Sequence, residues 1–249
     1  MTRVEERDGG VPDEARAPLL TVRGLSAWYG QAQALFDVDL EVRSREIVGV
    51  LGRNGAGKST LLHCLARVHA RLRGSMVWDG QDLLALDAHR VAGLGINLVR
   101  SGAKVFSNIT VEQNLELGAR LARLRHRPPR PLDEIWEWFP ALAARRQVKA
   151  GYLSGGQRQS LALAAALHAS PSLLLLDEPS AGLATAVAAT LFDVLRRLRD
   201  EGMTILVVEQ DPDWLAGLVH RTVLLETGRV VSDGDDILAA SALGAASRS

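Results

Sequence analysis

Apolar and polar positions change period several times along the chain. Asp37-Val38-Asp39-Leu40-Glu41-Val42 alternates strictly, which predicts a strand with one face in water. Ile47 to Leu51 is a short apolar run that ends on a glycine, and predicts a buried strand leading into a loop. Lys58 to Val68 holds helix formers, with Leu61, Leu62 and Leu65 on one face and Cys64 close by. From about Val111 to Leu167 the period is helical, interrupted by Pro128-Pro129 and Pro131, which end any helix there. Strands and helices then alternate. Leu173 to Leu176 predicts a strand covered on both faces, and Ala184 to Arg199 a helix that buries Leu191, Val194, Leu195 and Leu198. Thr204 to Val208 predicts another buried strand. Val223–Glu226 and Arg229–Ser232 flank Thr227-Gly228 as a tight hairpin. The pattern is that of an α/β body interrupted by a helical insert.

Composition narrows the class. In 249 residues, 47% are hydrophobic and 23% charged, ordinary values for a soluble globular chain. Lys+Arg and Asp+Glu both number 29, so no basic footprint for nucleic acid is present. Cys64 is the single cysteine, which excludes an intrachain disulfide and suits a reducing compartment. Met1 to Ala17 is charged and small, with no apolar stretch of a secretory signal, and is expected to be a disordered leader. The longest apolar runs are far too short to cross a bilayer, so any membrane role is expected to be indirect. One folded domain is expected over 18–239, with a helical part over about 107–168 and a frayed tail over 240–249. Arg120, Arg123, Arg125, Arg127 and Arg130 read as a solvated helix face and loop, with a lipid or partner contact as the alternative. Trp136, Trp138 and Phe139 read as local core packing, or as one wall of a partner groove.

Candidate chemistry starts at Gly52-Arg53-Asn54-Gly55-Ala56-Gly57-Lys58-Ser59-Thr60. The pattern G-x-x-x-x-G-K-[ST] stands between a predicted strand and a predicted helix, the context that a phosphate loop requires. Glycines let successive N–H groups turn toward phosphate oxygens, and the helix N-terminus adds partial positive charge. Lys58 is expected to reach the β- and γ-phosphates of ATP, Ser59 to ligate Mg2+, and Thr60 to touch the α-phosphate. Leu173–Leu176 then ends in Asp177-Glu178-Pro179. A carboxylate closing a buried strand can hold magnesium, the role expected of Asp177, and Glu178 can polarise the attacking water as general base.

Leu153-Ser154-Gly155-Gly156-Gln157 resembles the signature sequence of the ATP-binding-cassette (ABC) transporter family. The resemblance spans about Leu19 to Gly234. It implies a P-loop NTPase core with a mostly parallel central sheet, an N-terminal antiparallel β portion and a helical insert. It also implies a head-to-tail dimer, in which Ser154, Gly155, Gly156 and Gln157 of one subunit contact ATP held by the other. A GTPase or small-molecule kinase would lack this signature. Tyr29, in Ala27-Trp28-Tyr29-Gly30, sits where the family places an aromatic ring against adenine, in a loop before the phosphate strand; a packed core aromatic is the other reading. Ser180-Ala181-Gly182-Leu183-Ala184 stands where the family has its dimer-contact loop, with Ala184 in place of the commoner aspartate.

Val105-Phe106, Thr110–Leu115, Phe139–Leu142 and Val208-Glu209-Gln210 resemble the branched-chain amino acid importers and the related urea and amide importers. Gln210 occupies the position where most cassettes carry histidine. Two departures stand out: Ser101 where the family has Gln or Glu, and Ala165 where it has Arg. The resemblance implies a second ABC ATPase subunit, transmembrane permease subunits and, indirectly, an extracytoplasmic solute-binding protein as partners. It implies a cytoplasmic location on the inner face of the membrane. The function expected is ATP hydrolysis energising solute import. A weakly hydrolysing regulatory module and a soluble family member outside transport are the rivals.

Overall fold

The computed structural model describes residues 17–234 except 70 and 103; the expected leader, apart from Ala17, and the expected tail lie outside the described residues. Two sheets arise from two kinds of strand. The first is antiparallel. It joins β1 (Leu20–Tyr29), β2 (Ala32–Val42), β4 (Leu72–Trp78) and β5 (Gln81–Asp82) in the order β2-β1-β4-β5. The alternation at Asp37–Val42 is reproduced, with Val38, Leu40 and Val42 buried. The second sheet has the order β10-β9-β3-β8-β7-β6. Its parallel strands are β9 (Arg221–Glu226), β3 (Ile47–Leu51), β8 (Ile205–Glu209), β7 (Leu173–Asp177) and β6 (Ile96–Val99), and β10 (Arg229–Gly234) closes one edge antiparallel to β9.

Every residue of β3, β7 and β8 is buried, because both faces of this sheet are covered. Val48, Val50, Leu173, Leu175, Leu206 and Val208 face the core shared with the antiparallel sheet and with α1 (Lys58–Leu65). Ile47, Leu51, Leu174, Leu176, Ile205 and Val207 face the helices of the other side. These are α3 (Val111–Leu124), α4 (Leu132–Trp138), α5 (Pro140–Ala143), α6 (Gly155–His168) and α7 (Thr185–Asp200), while α2 (Ala88–Gly93) leads into β6 and α8 (Pro212–Leu215) follows β8. A fully buried Leu or Val side chain contributes about 1.5–3 kcal/mol, so these two alternating rows dominate what holds the sheet in place.

Several local expectations change. Tyr29 closes β1 instead of sitting in a loop. β1 was hidden by register shifts between Val22 and Ala27 that bury Leu25, Ser26 and Ala27 in succession and erase the period of two. The helix expected to run to Val68 stops at Leu65, since Arg67 takes a φ of 55° that no helix continues. The basic run is not one solvated face. Arg120 and Arg123 do pair with Glu116 on the exposed side of α3. Arg125, however, donates to Asn97 Oδ1 of β6 at 2.5 Å and to Ala169 O at 3.2 Å. Arg127 donates to Ser172, and Arg130 to Glu201 at 2.8 Å. Arg125 thus ties the helical layer to β6, Arg127 reaches the residue before β7, and Arg130 reaches the end of α7. Trp138 and Phe139 are buried in the helical core, and Arg130 lies 4.7 Å from the Trp138 ring centroid.

Candidate active site

The phosphate loop follows β3 with no spare room. A Cβ on Gly52 would stand 2.4 Å from Leu225 O, so a larger residue would push the loop off β9. Gly57 has a φ of 103°, and its Cβ would meet Leu35 Cδ2 at 2.9 Å. The β9–β10 hairpin, with Thr227 and Gly228 both at positive φ, backs the loop through Gly228 N–H donating to Ala56 O at 2.8 Å. Asn54 through Thr60, together with Tyr29, Ala34 and Glu178, line a cleft of about 380 Å3. Arg53 is exposed at its rim and Gly52 is buried behind it. Tyr29 is 53% exposed, its ring packed edge-on against His69 at 4.5 Å, so most of the ring stays open.

Lys58 opens α1 and is buried, yet it keeps three partners. Its Nζ donates to Gly52 O at 2.7 Å and Arg53 O at 3.2 Å, and pairs with Glu178 Oε1 at 3.0 Å. The Ser59 hydroxyl donates to Asp177 Oδ1 at 2.7 Å. Asp177 is 2% exposed and, among the described residues, has no cationic partner. A buried carboxylate of that kind, beside a hydroxyl, is an oxygen-only donor set that suits a hard divalent cation such as Mg2+. Thr60 is buried in the first turn of α1. Glu178 holds a φ of 44°, a left-handed conformation that costs a non-glycine residue about 1 kcal/mol or more and concentrates at functional sites.

Glu178 also faces a second cleft of about 470 Å3, lined by Ser180, Ala181, Gly182, Glu209, Gln210 and Asp211. Gln210 is thereby brought beside Glu178. Ser101 lines neither cleft; it lies exposed in the turn after β6. The β6–β7 register pairs Val99 with Leu176, and its continuation would set Ser101 level with Glu178. Ser154 is the N-cap of α6. Its hydroxyl accepts from Gln157 N at 3.2 Å, and Gln157 Oε1 accepts from Ser154 N at 3.1 Å. This capping box uses the Ser154 and Gln157 N–H groups and leaves those of Gly155 and Gly156 free of it. None of Ser154, Gly155, Gly156 or Gln157 lines the phosphate-loop cleft.

Glu209 is the residue of this region to which the sequence assigned no role. It is 2% exposed and accepts from the backbone N–H groups of Ser180 and Gln210. Burial pushes its carboxyl above the ordinary range, while the hydrogen bonds from Ser180 and Gln210 pull it back. The available signal was a carboxylate closing the apolar run from Ile205 to Val208, the same arrangement that marked Asp177.

The chain resembles known proteins along most of its length. Residues 35–181 match the family model described as "ABC transporter". The chain is 40% identical over 213 residues to the high-affinity branched-chain amino acid transport ATP-binding protein BraG of Pseudomonas aeruginosa, covering 86% of this chain and 91% of that protein. It is 31% identical over 220 residues to the lipopolysaccharide export system ATP-binding protein LptB of Haemophilus influenzae, covering 87% and 90%. Among solved structures, an ATP-binding subunit of an ABC transporter superposes with a TM-score of 0.77 at 25% identity, covering 90% of this chain and 94% of that one. With the phosphate loop, the paired acids and the signature sequence on one such fold, the chain belongs to the ABC transporter family, as an ATP-binding and ATP-hydrolysing subunit.

Proposed function

We propose that this chain energises import of a branched-chain amino acid or a related small polar solute, such as an amide or urea. The reading of the site is carried by one observation: Lys58, Ser59 and Glu178 line one cleft, with Lys58–Glu178 at 3.0 Å, and Asp177 stands behind Ser59, bonded to its hydroxyl at 2.7 Å. Gly52 to Thr60 bind the phosphates of ATP and Tyr29 stacks on the base; Ser59 and Asp177 would hold Mg2+, which would supply neutralisation of phosphate charge. Glu178 takes the proton of the attacking water, and Gln210 orients the same region. The solute class rests on the relative BraG and on the stretches shared with importers of that group. The lipopolysaccharide relative is a reminder that the same cassette serves other cargo. Partners are a second ABC ATPase subunit, permease subunits and, indirectly, a solute-binding protein. No helix among the described residues is long and apolar enough to cross a membrane. Attachment to the inner face of the cell membrane through the permease is the arrangement that the transporter relatives support.

Ser154 to Gln157 stand apart from the chain's own phosphate loop, which supports their use in a partner's site. The chain's own site departs from the family pattern at Ser101 and Gln210. The resulting reading is a heterodimer in which this chain's signature completes the stronger site of its partner. Ser154→Arg should then abolish most transport, while Glu178→Gln leaves a substantial fraction, in the assembled complex with surface expression matched. Equal losses, or a larger loss from Glu178→Gln, would favour two equivalent sites.

Ser101→Gln is a separate expectation. Serine is too short to bridge from its exposed turn to the cleft except through water. Gln should raise ATP turnover in the assembled transporter about two- to threefold with ATP affinity unchanged, a gain of well under 1 kcal/mol in the barrier. Unchanged or lower turnover would show that the loop is adapted to serine.

A further inference from the structure

β8 ends on a carboxylate that the roles assigned so far do not use. Glu209 pairs with Leu51 at the mouth of the phosphate loop and is 2% exposed. Carboxylates are almost never so buried unless paired. Here the partners are backbone N–H groups. Ser180 N donates to Oε1 at 3.0 Å and Gln210 N to Oε2 at 3.3 Å.

The two N–H groups belong to different loops. Ser180 follows Asp177-Glu178-Pro179, and Gln210 opens the turn after β8. Glu178 lies between them, its own N–H donating to Val208 O at 3.0 Å and its φ at 44°. Val208 precedes Glu209, so the contacts close a ring: Glu178 to Val208, along the chain to Glu209, and from Glu209 back to Ser180. A strained conformation persists only where its surroundings over-determine it. Lys58 restrains the Glu178 side chain at 3.0 Å, and the Glu209 carboxylate restrains the backbone that follows it through Ser180 N–H.

We propose that Glu209 is a positioning residue for hydrolysis, locking the Glu178–Ser180 turn against the Gln210 turn so that Glu178 and Gln210 face one cleft. The proposal rests on the reading of Glu178 as the base. It does not require Glu209 to touch nucleotide or water. Two acceptor oxygens are needed because two N–H donors must be met at once. An amide of the same size offers one acceptor and turns an N–H toward the other donor.

The test is Glu209→Gln, read by single-turnover ATP hydrolysis and by ATP affinity on the full chain. Hydrolysis should slow about tenfold with ATP affinity within about twofold of wild type, as expected when a hydrogen bond to a charged group that orients the base, and not the nucleotide, is weakened. Glu209→Asp keeps both oxygens on a shorter stem and should recover to within about threefold of wild type. In a Glu178→Gln background, Glu209→Gln should cost nothing further, because no base remains to be positioned. Should Glu209→Gln not fold, Glu209→Asp carries the same test: a small loss in rate, none in affinity, and none in the Glu178→Gln background. Rate and affinity falling together, or an equal loss in the Glu178→Gln background, would make Glu209 a general structural residue and overturn the proposal. Hydrolysis abolished by Glu178→Gln but spared by Glu209→Gln overturns this proposal alone. Hydrolysis that survives Glu178→Gln overturns the base assignment and this proposal with it.

Discussion

Glu178→Gln should lower ATP hydrolysis at this chain's own site by about 100-fold or more, the range that a positioned general base contributes. Nucleotide binding should survive. Glu178 is the anionic partner of Lys58 at 3.0 Å, and in that position it competes with phosphate for the ammonium. Neutralising it removes the competitor and leaves Lys58 bonded to Gly52 O and Arg53 O, already aimed into the cleft. ATP affinity should therefore be equal to or above that of wild type. Phosphate release under single turnover, with nucleotide affinity measured by equilibrium binding on the same preparation, separates the two effects. A wild-type rate in the variant would remove Glu178 from the chemistry.

Lys58→Ala should act in the opposite way. Truncating one member of a buried charge pair costs about 2–4 kcal/mol, or roughly a 30- to 1,000-fold loss of ATP affinity. Hydrolysis should vanish as a consequence of lost binding. Lys58 is 4% exposed, so its removal also leaves Gly52 O, Arg53 O and Glu178 without their shared donor. Lys58→Met, which keeps most of the volume, guards against reading a packing defect as a binding defect. Affinity near wild type in both variants would show that backbone N–H groups alone hold the phosphates.

The chemistry of this chain is more legible in its sequence than its sheets are. Gly52 and Gly57 answer to the close approach of neighbouring atoms and Ser59 to its bond with Asp177, and such demands leave fixed spacings. The strands that carry them, β3, β7 and β8, are continuous apolar runs because both their faces are covered. β1 and β6 were missed for physical reasons. Register shifts scramble the alternation of β1, and β6 places polar Asn97 in its middle because Arg125 and Ala166 O take up the amide. Arg125, Arg127 and Arg130 looked like a solvated face because sequence spacing does not reveal partners far along the chain, at Asn97, Ser172 and Glu201. Glu209 was overlooked for a related reason. Its partners are two backbone N–H groups, one next to it in the chain and one in a distant loop, and a backbone N–H has no sequence signature.

In the proposed mechanism one cleft binds ATP through Lys58 and hydrolyses it through Glu178. The most direct measurement is the chemical identity of the nucleotide retained after incubation with Mg2+ and ATP and removal of the excess. Intact ATP is expected on Glu178→Gln, ADP on the wild type, and no retained nucleotide on Lys58→Ala. ADP on Glu178→Gln in the amount found for wild type would contradict it.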